Sequence, residues 1–391
     1  MRIGLVLPAV PGYSETFFSN KIKGLEANGY TVILFVNSCN RKTKTSTKTK
    51  VAPKLSGNMV RIGMISFYRL SYSLIFHFKV SRRLFILDRD DGINFIQRIK
   101  NIIINNHIFS EPVDWLHFGF GTMVLNRENV AKAIGAKMAV SFRGFDIGIY
   151  PVKHPGCYKR LWEKVDKIHV ISNDISELVY KQGFNNQVPI IKITPAIDIR
   201  FFKNNHKTEY NKIPHFITVA RLHWKKGLDY TLEALALLKE ENIPFHYTII
   251  GDGPQEEYLK FGTHQLGLND YVTFTGKLSH ELVKKKLEQA DIYLQYSIQE
   301  GFCNSVLEAQ AIGLLCVVSD AEGLSENVLH NKTGWVVPLR QPKLLLEKIR
   351  NIINLPQTEK DTISQNAKER VKLEFNIKKQ QKEFVGFYEN N

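Results

Sequence analysis

The chain has 391 residues, 43% of them apolar and 23% charged, which excludes a wholly disordered polypeptide and suits two domains better than one. Lysine and arginine number 53 against 38 aspartate and glutamate, and the net charge of +15 calls for a polyanionic partner: nucleic acid, a phosphorylated small molecule or an anionic membrane surface. Mean hydropathy is −0.20, and no stretch approaches the roughly 18–20 apolar residues that cross a bilayer.

In chain order, Arg2–Pro8 reads as a first strand rather than a signal peptide, since its apolar run is short and no small-residue cleavage site follows. Further strands are expected at Thr31–Asn37, Trp115–Phe118, Ala139–Phe142, Ile168–Ser172 and Ile191–Thr194. The second half continues with His215–Ala220, Tyr247–Gly251, Val272–Thr275, Ile292–Tyr296, Leu315–Ser319 and Trp335–Val337. Helical spacing is clearest at Phe18, Ile22, Leu25 and at Leu228, Leu232, Leu235, Leu238. Strands alternating with helices predict an α/β fold with parallel sheets. The polar segment Asp198–Lys212 reads as a linker, which gives domains 1–204 and 205–391. The four cysteines, Cys39, Cys157, Cys303 and Cys316, form no C-x-x-C pair, so a cytoplasmic protein is expected.

One region breaks the rhythm. Arg41–Lys54 carries six basic side chains and no acidic one, and reads as a solvated loop. After it, Phe67–Lys79 mixes aromatics with Arg69 and Lys79, and Arg82-Arg83 follow. Such a run suits either a helix lying on an anionic leaflet or an ordinary interior amphipathic helix.

The second half holds four features that could carry chemistry. Val219–Leu228 is a strand ending in Arg221, then a turn, then Lys226 at a helix start. A planar guanidinium fork, a point charge and free helix N–H groups together could neutralise a pyrophosphate without a metal; alone, the two cations read equally well as surface charges. Ile249–Pro254 runs a strand into a turn bounded by Gly251 and Gly253, which would let backbone approach a ligand, although the dinucleotide fingerprint G-x-G-x-x-G is absent. Ser297–Ala309 places Glu300 in a loop and Glu308 in the next helix. Glu300 suits sugar hydroxyls, Glu308 a vicinal diol such as ribose, and the N–H groups of Phe302, Cys303 and Asn304 a phosphate. Ser305-x-x-Glu308 equally matches a capping box. Last, Ser319–Val328 carries Glu322 and Glu326 after a buried strand, where either could simply complement a helix dipole.

Taken as an ordered set, these residues resemble glycosyltransferase family 4, whose enzymes have the GT-B fold of two doubly wound Rossmann-like domains with an interdomain cleft. Arg221, Lys226-Gly227, Gly251-Asp252-Gly253-Pro254, Glu300 with Glu308, and Glu322-Gly323-x-x-Glu326 fall in the family's order. Ser14-Glu15-Thr16-Phe17, Leu25-x-x-x-Gly29-Tyr30, His117-Phe118-Gly119 and Ser141–Asp146 are similar to the subgroup that makes colanic acid, capsular and O-antigen polysaccharides. The resemblance implies a retaining, metal-independent transferase that moves sugar from a UDP- or GDP-linked donor to a saccharide acceptor, lipid-linked or free. It also implies no cofactor, an amino-terminal acceptor domain and a carboxyl-terminal donor domain, with the last helix packing back on the first. Arg221 and Lys226 would hold the diphosphate, Glu300 the transferred sugar and Glu308 the ribose; Gly251, Gly253, Phe302, Cys303, Asn304 and Glu326 would complete the donor site, Lys277 and Leu278 lining the base. Gly12 and Glu15 would face the phosphates, and His117, Arg143 and Asp146 the acceptor or donor sugar. Such an enzyme would sit in the cytoplasm, peripheral on the inner leaflet.

The sequence departs from the family in three places. Arg143 stands where many members have His, and an arginine cannot shuttle a proton. Gly12 lacks a glycine neighbour, and so does Gly323. The same residues also admit a nucleotide-sugar 2-epimerase or a catalytically inactive nucleotide-sugar-binding scaffold. Asp88-Arg89-Asp90 contains D-x-D but follows no buried strand, so it is not expected to hold a metal; His117 and His169 also fit as core histidines, and Cys303 has no nearby base to make it a nucleophile. Base-stacking signatures are lacking, and nucleic acid is not expected as the partner.

Overall fold

The computed structural model describes residues 1–12, 16–39, 46–203 and 210–389. The chain divides into two compact units, Met1–Ile193 with Gln381–Asn391, and Thr194–Gln380. Residues 204 and 205, where the domain boundary is expected, lie outside the described residues.

The first unit is built on seven strands: β1 (Arg2–Ala9), β2 (Thr31–Ser38), β3 (Lys48–Val51), β4 (Trp115–Phe118), β5 (Lys137–Phe142), β6 (Lys167–Val170) and β7 (Ile190–Lys192). They lie in the order β3-β2-β1-β4-β5-β6-β7, every neighbouring pair parallel. Ile3 to Leu7 of β1 and Val32 to Val36 of β2 are buried without alternation, as strands covered on both faces must be. Four helices matter below: α1 (Thr16–Ala27), α2 (Met59–Phe76), α3 (Phe78–Asp90) and α4 (Phe95–Phe109). Phe18, Ile22 and Leu25 turn α1 toward the core, and Asn94 caps α4 by accepting the Gln97 N–H at 2.9 Å. Phe384, Phe387 and Tyr388 of the last helix, Ile377–Glu389, join this same core.

Strand β3 corrects the expected basic loop. Its pairing Ile33↔Lys48 through Val36↔Val51 adds an edge to the sheet. Lys48 and Lys50, two apart and therefore on one face, both reach the buried Glu111 carboxylate, at 2.7 and 3.2 Å, and Arg2 joins them at 3.3 Å. A distant carboxylate recruits this charged segment into the sheet, and no local periodicity announces it. Residues 41–45 of the expected loop lie outside the described set.

The second unit has six strands: β8 (His215–Val219), β9 (His246–Ile250), β10 (Val272–Phe274), β11 (Ile292–Gln295), β12 (Leu315–Ser319) and β13 (Trp335–Val337). Their order is β10-β9-β8-β11-β12-β13, again parallel throughout. Leu228, Leu232, Leu235 and Leu238 face the core from the helix Leu228–Glu240, as their spacing predicts. In each unit the strand order reverses beside the first strand, at β1/β4 and at β8/β11. Ligands of open parallel sheets bind outside the carboxyl ends of the strands at such a reversal.

Candidate active site

The β8/β11 reversal gathers most of the expected donor residues. Beyond Val219 the chain passes through buried Ala220, exposed Arg221 and buried Leu222. The Ala220 N–H donates to Ile250 O at 3.0 Å and the Leu222 N–H to Asp252 O at 2.8 Å, which locks this turn to the one after β9. Gly251 and Gly253 make that locking possible: a Cβ on either would stand 1.9 Å from Ala220 O or 2.2 Å from Leu222 O. Their close approach is therefore to a neighbouring backbone, and its result is a rigid seat for Arg221. The Gly251 N–H donates to Gly276 O at 3.0 Å, which brings Lys277 and Leu278 alongside.

Arg221 has no hydrogen bond or ion pair among the described residues. Lys226 ends the single turn Trp224–Lys226, and the backbone N–H groups of Ile298 and Gln299 donate to Lys225 O at 2.8 and 3.2 Å. That tie draws the loop after β11 across the turn, and Glu300 closes an ion pair with Lys226. Desolvation pulls the Lys226 ammonium down, the charge and hydrogen bond of Glu300 together with Cys303 raise it, and the net displacement is upward.

The helix Asn304–Ile312 starts at the same place, and the capping-box reading of Ser305 and Glu308 fails. The N-cap is Cys303, whose side chain caps no helix N–H, and Ser305 lies inside the helix with its Oγ donating to Val219 O at 3.0 Å. The Tyr293 hydroxyl stands 2.7 Å from the same Oγ. Asn327 holds Cys303 from both sides, accepting its N–H at 3.0 Å and donating to its carbonyl at 2.9 Å. One of the three N–H groups expected for phosphate is thus already spent, leaving those of Phe302 and Asn304. Glu308 makes no hydrogen bond to any described residue, and desolvation pushes its carboxyl up to about 8. At neutral pH it is mostly protonated. Glu326 sits in the turn Glu322–Asn327, held through its carbonyl by Arg370 Nη2 at 2.8 Å, and Gln299 reaches Glu322 at 3.4 Å.

The first unit treats its candidates differently. Gly12 follows the carboxyl end of β1, and Glu15 lies outside the described residues. Arg143 follows β5 with its guanidinium carbon 3.7 Å from the centre of the Phe17 ring and 4.6 Å from that of Phe18. Asp146, expected near a sugar, is buried, and its carboxylate accepts the backbone N–H groups of Gly121, Arg143 and Gly144 at 2.9, 2.9 and 3.1 Å. It shapes the loop that carries Arg143. His117, also expected near a sugar, is wholly buried in a chain of bonds. His169 Nε2 donates to Ile193 O at 3.0 Å, Ser141 Oγ lies 2.8 Å from His169 Nδ1 and 2.7 Å from His117 Nε2, and the Tyr388 hydroxyl lies 2.6 Å from His117 Nδ1. The Ile193 carbonyl fixes the direction of every proton in that relay, both histidines being neutral because desolvation holds them well below their usual range.

Lys21, not singled out from the sequence, completes this cluster with Nζ 3.1 Å from His117 Nδ1, its amine driven well down by desolvation and by Arg143. Its place between Phe18, Ile22 and Leu25 on the helical period was the available signal. Asn327 and Tyr293 had none, since their partners are remote in sequence. The D-x-D carboxylates have structural partners: Asp88 accepts from Asn101 and Asn129 at 2.8 and 2.9 Å, and Asp90 pairs with Arg89. No cluster of three His, Cys, Asp or Glu suited to a metal occurs among the described residues.

The family model for glycosyl transferases group 1 matches residues 198–370. The colanic acid biosynthesis glycosyltransferase WcaL of Escherichia coli K12 is 30% identical over 277 residues, 68% of each chain. The chain belongs to this glycosyltransferase family. The enzyme is also 29% identical to AmsK, an amylovoran biosynthesis glycosyltransferase of Erwinia amylovora, over 70% of its own length and 69% of AmsK. Among solved structures, a Rickettsia africae glycosyltransferase aligns over 100% of this chain and 99% of its own at TM-score 0.70 and 17% identity. Anabaena HepE with UDP-glucose aligns over 100% of both chains at TM-score 0.74 and 14% identity. These likenesses show the fold, GT-B, with two Rossmann-like parallel-sheet units.

Proposed function

We propose that this glycosyltransferase moves a hexosyl group from a UDP- or GDP-linked donor to a lipid-linked saccharide, with retention at the anomeric carbon and without a metal ion or cofactor, in building a cell-surface polysaccharide. The observation that carries the reading is the meeting, at the carboxyl ends of β8 and β11, of an unpaired Arg221, the Lys226–Glu300 pair and a helix start with no side-chain cap. HepE, solved with UDP and with UDP-glucose, supports a nucleotide-sugar donor, and the colanic acid and amylovoran relatives support the polysaccharide.

Arg221 offers its fork to the diphosphate and Lys226 a point charge, fixed before the reaction begins, where negative charge develops as the C1–O bond breaks. The N–H groups of Phe302 and Asn304 add the positive end of the helix. Glu300 exchanges part of its bond with Lys226 for hydroxyls of the sugar, and Glu308 accepts from the ribose diol. The bond electrons leave with the diphosphate oxygen, the acceptor oxygen bonds C1 from the same face, and its proton passes to a donor phosphate oxygen. Because the acceptor is held by lipid, the enzyme works peripherally at the inner leaflet.

The test is sugar transfer from a panel of nucleotide sugars, with and without chelator. Turnover persists in chelator and falls at least about 100-fold in Lys226→Ala and in Glu300→Ala. Full activity in either variant removes the assigned donor site, and an epimer formed from donor alone favours the epimerase.

A further inference from the structure

Between Glu26 and Asp88 the chain has no acidic residue and eleven lysines and arginines. Helix α2 lies in this stretch and turns much of its apolar surface outward. A surface helix of a globular protein packs its apolar stripe inward and shows water its polar side. In α2 the packed side mixes half-buried Ile62, Ile65, Leu70 and Tyr72 with polar contacts: Arg69 donates to Asn106 of α4 at 3.3 Å, Ser73 is buried and bonded to the same Asn106, and Ser81 of α3 donates to Ser73 O at 3.3 Å. The side shown to water carries Val60, Met64, Phe67 and Ile75 at helical spacing, 68%, 62%, 75% and 72% exposed. Phe76 and Phe78 remain exposed at the bend into α3, and Lys79, Arg82 and Arg83 follow, exposed as well. No described helix is long and apolar enough to cross a membrane.

We propose that α2 and the first turns of α3 are an interfacial anchor: the outward apolar face of α2 lies in the headgroup boundary of an anionic bilayer, with Arg61, Lys79, Arg82 and Arg83 on lipid phosphates. Charge chooses this occupant. A second copy of the chain would set one acid-free basic stretch against another, whereas an anionic leaflet neutralises it, each basic side chain near the surface raising partitioning about five-fold. The apolar face adds a contribution that salt does not screen. The proposal deepens the membrane-side reading of the acceptor and rests on it for the choice of leaflet; it uses none of the donor chemistry.

The test is co-sedimentation of the whole chain with vesicles of phosphatidylcholine alone and of phosphatidylcholine with an equal part of phosphatidylglycerol, with donor turnover in free solution measured alongside. Strong binding to the anionic vesicles alone is expected. Arg82→Gln with Arg83→Gln lowers the partition coefficient about 25-fold, and Phe67→Ser with Ile75→Ser lowers it about ten-fold or more and leaves a residual that high salt abolishes. All four positions are exposed, so circular dichroism and donor turnover stay as in the wild type. Absence of binding, binding indifferent to both pairs, or a wild-type dimer in gel filtration that Phe67→Ser with Ile75→Ser dissolves would each overturn the anchor. Loss of donor turnover in the wild type would count against the proposed reaction and leave the anchor standing.

Discussion

Glu308 makes the proposed donor site measurable through the stability of the empty enzyme. Its carboxyl is raised from 4.5 to about 8 by desolvation, with no other cause contributing. The folded state therefore binds this proton more tightly than the unfolded chain does. Stability from the group is whole below about pH 4.5 and is lost as pH rises through the folded value, at about 1.4 kcal/mol per pH unit and roughly 5 kcal/mol in all. Glu308→Gln keeps the shape and removes the titration. Urea unfolding of variant and wild type from pH 5 to pH 9 should show the variant gaining about 3 kcal/mol relative to wild type by pH 7, with the gain levelling above pH 8. Because a ribose diol needs an acceptor, donor binding at pH 7 should expel this proton, visible in calorimetry as a heat that depends on the buffer's ionisation enthalpy, and the variant should lose both the proton and much of the affinity. A stability difference flat with pH would refute the desolvated carboxyl. A carboxyl that lowers the stability of the empty fold at neutral pH is what a ligand-binding role predicts.

Arg221→Lys keeps the charge but loses the planar fork, so affinity for a nucleoside diphosphate should drop about ten-fold in titration calorimetry while nucleoside affinity barely moves. Gly251→Ala puts a Cβ where Ala220 O stands at 1.9 Å, and at φ +143°; it should cost at least about 2 kcal/mol by urea unfolding and weaken diphosphate binding, because the seat of Arg221 must shift. Phe384→Ala removes a wholly buried ring edge-on to Phe17 and should destabilise the first unit by about 3–5 kcal/mol, seen as a lower denaturation midpoint.

What the sequence determined by itself was whatever rests on local periodicity and on spacing within one turn or loop. The alternating strands and helices, the leucine face at Leu228–Leu238 and the placing of Arg221, Lys226 and Glu300 at strand ends needed no partner beyond their neighbours. Tertiary structure decided whatever depends on residues far apart in the chain. Glu111 turned Lys48–Val51 from loop to edge strand; Asn327 and the Val219 carbonyl, rather than a capping box, claimed Cys303 and Ser305. Gly251 and Gly253 answered to the backbone of a neighbouring turn, and His117 joined a buried relay closed by Lys21 and Tyr388. The outward apolar face of α2 follows the same logic: the helical period is plain in the sequence, but which side meets water was settled by Asn106, more than thirty residues away, bonding Arg69 and Ser73. Desolvation and hydrogen-bond partners are properties of the packed chain, so a carboxyl such as Glu308 acquires its protonation state only when the fold closes around it.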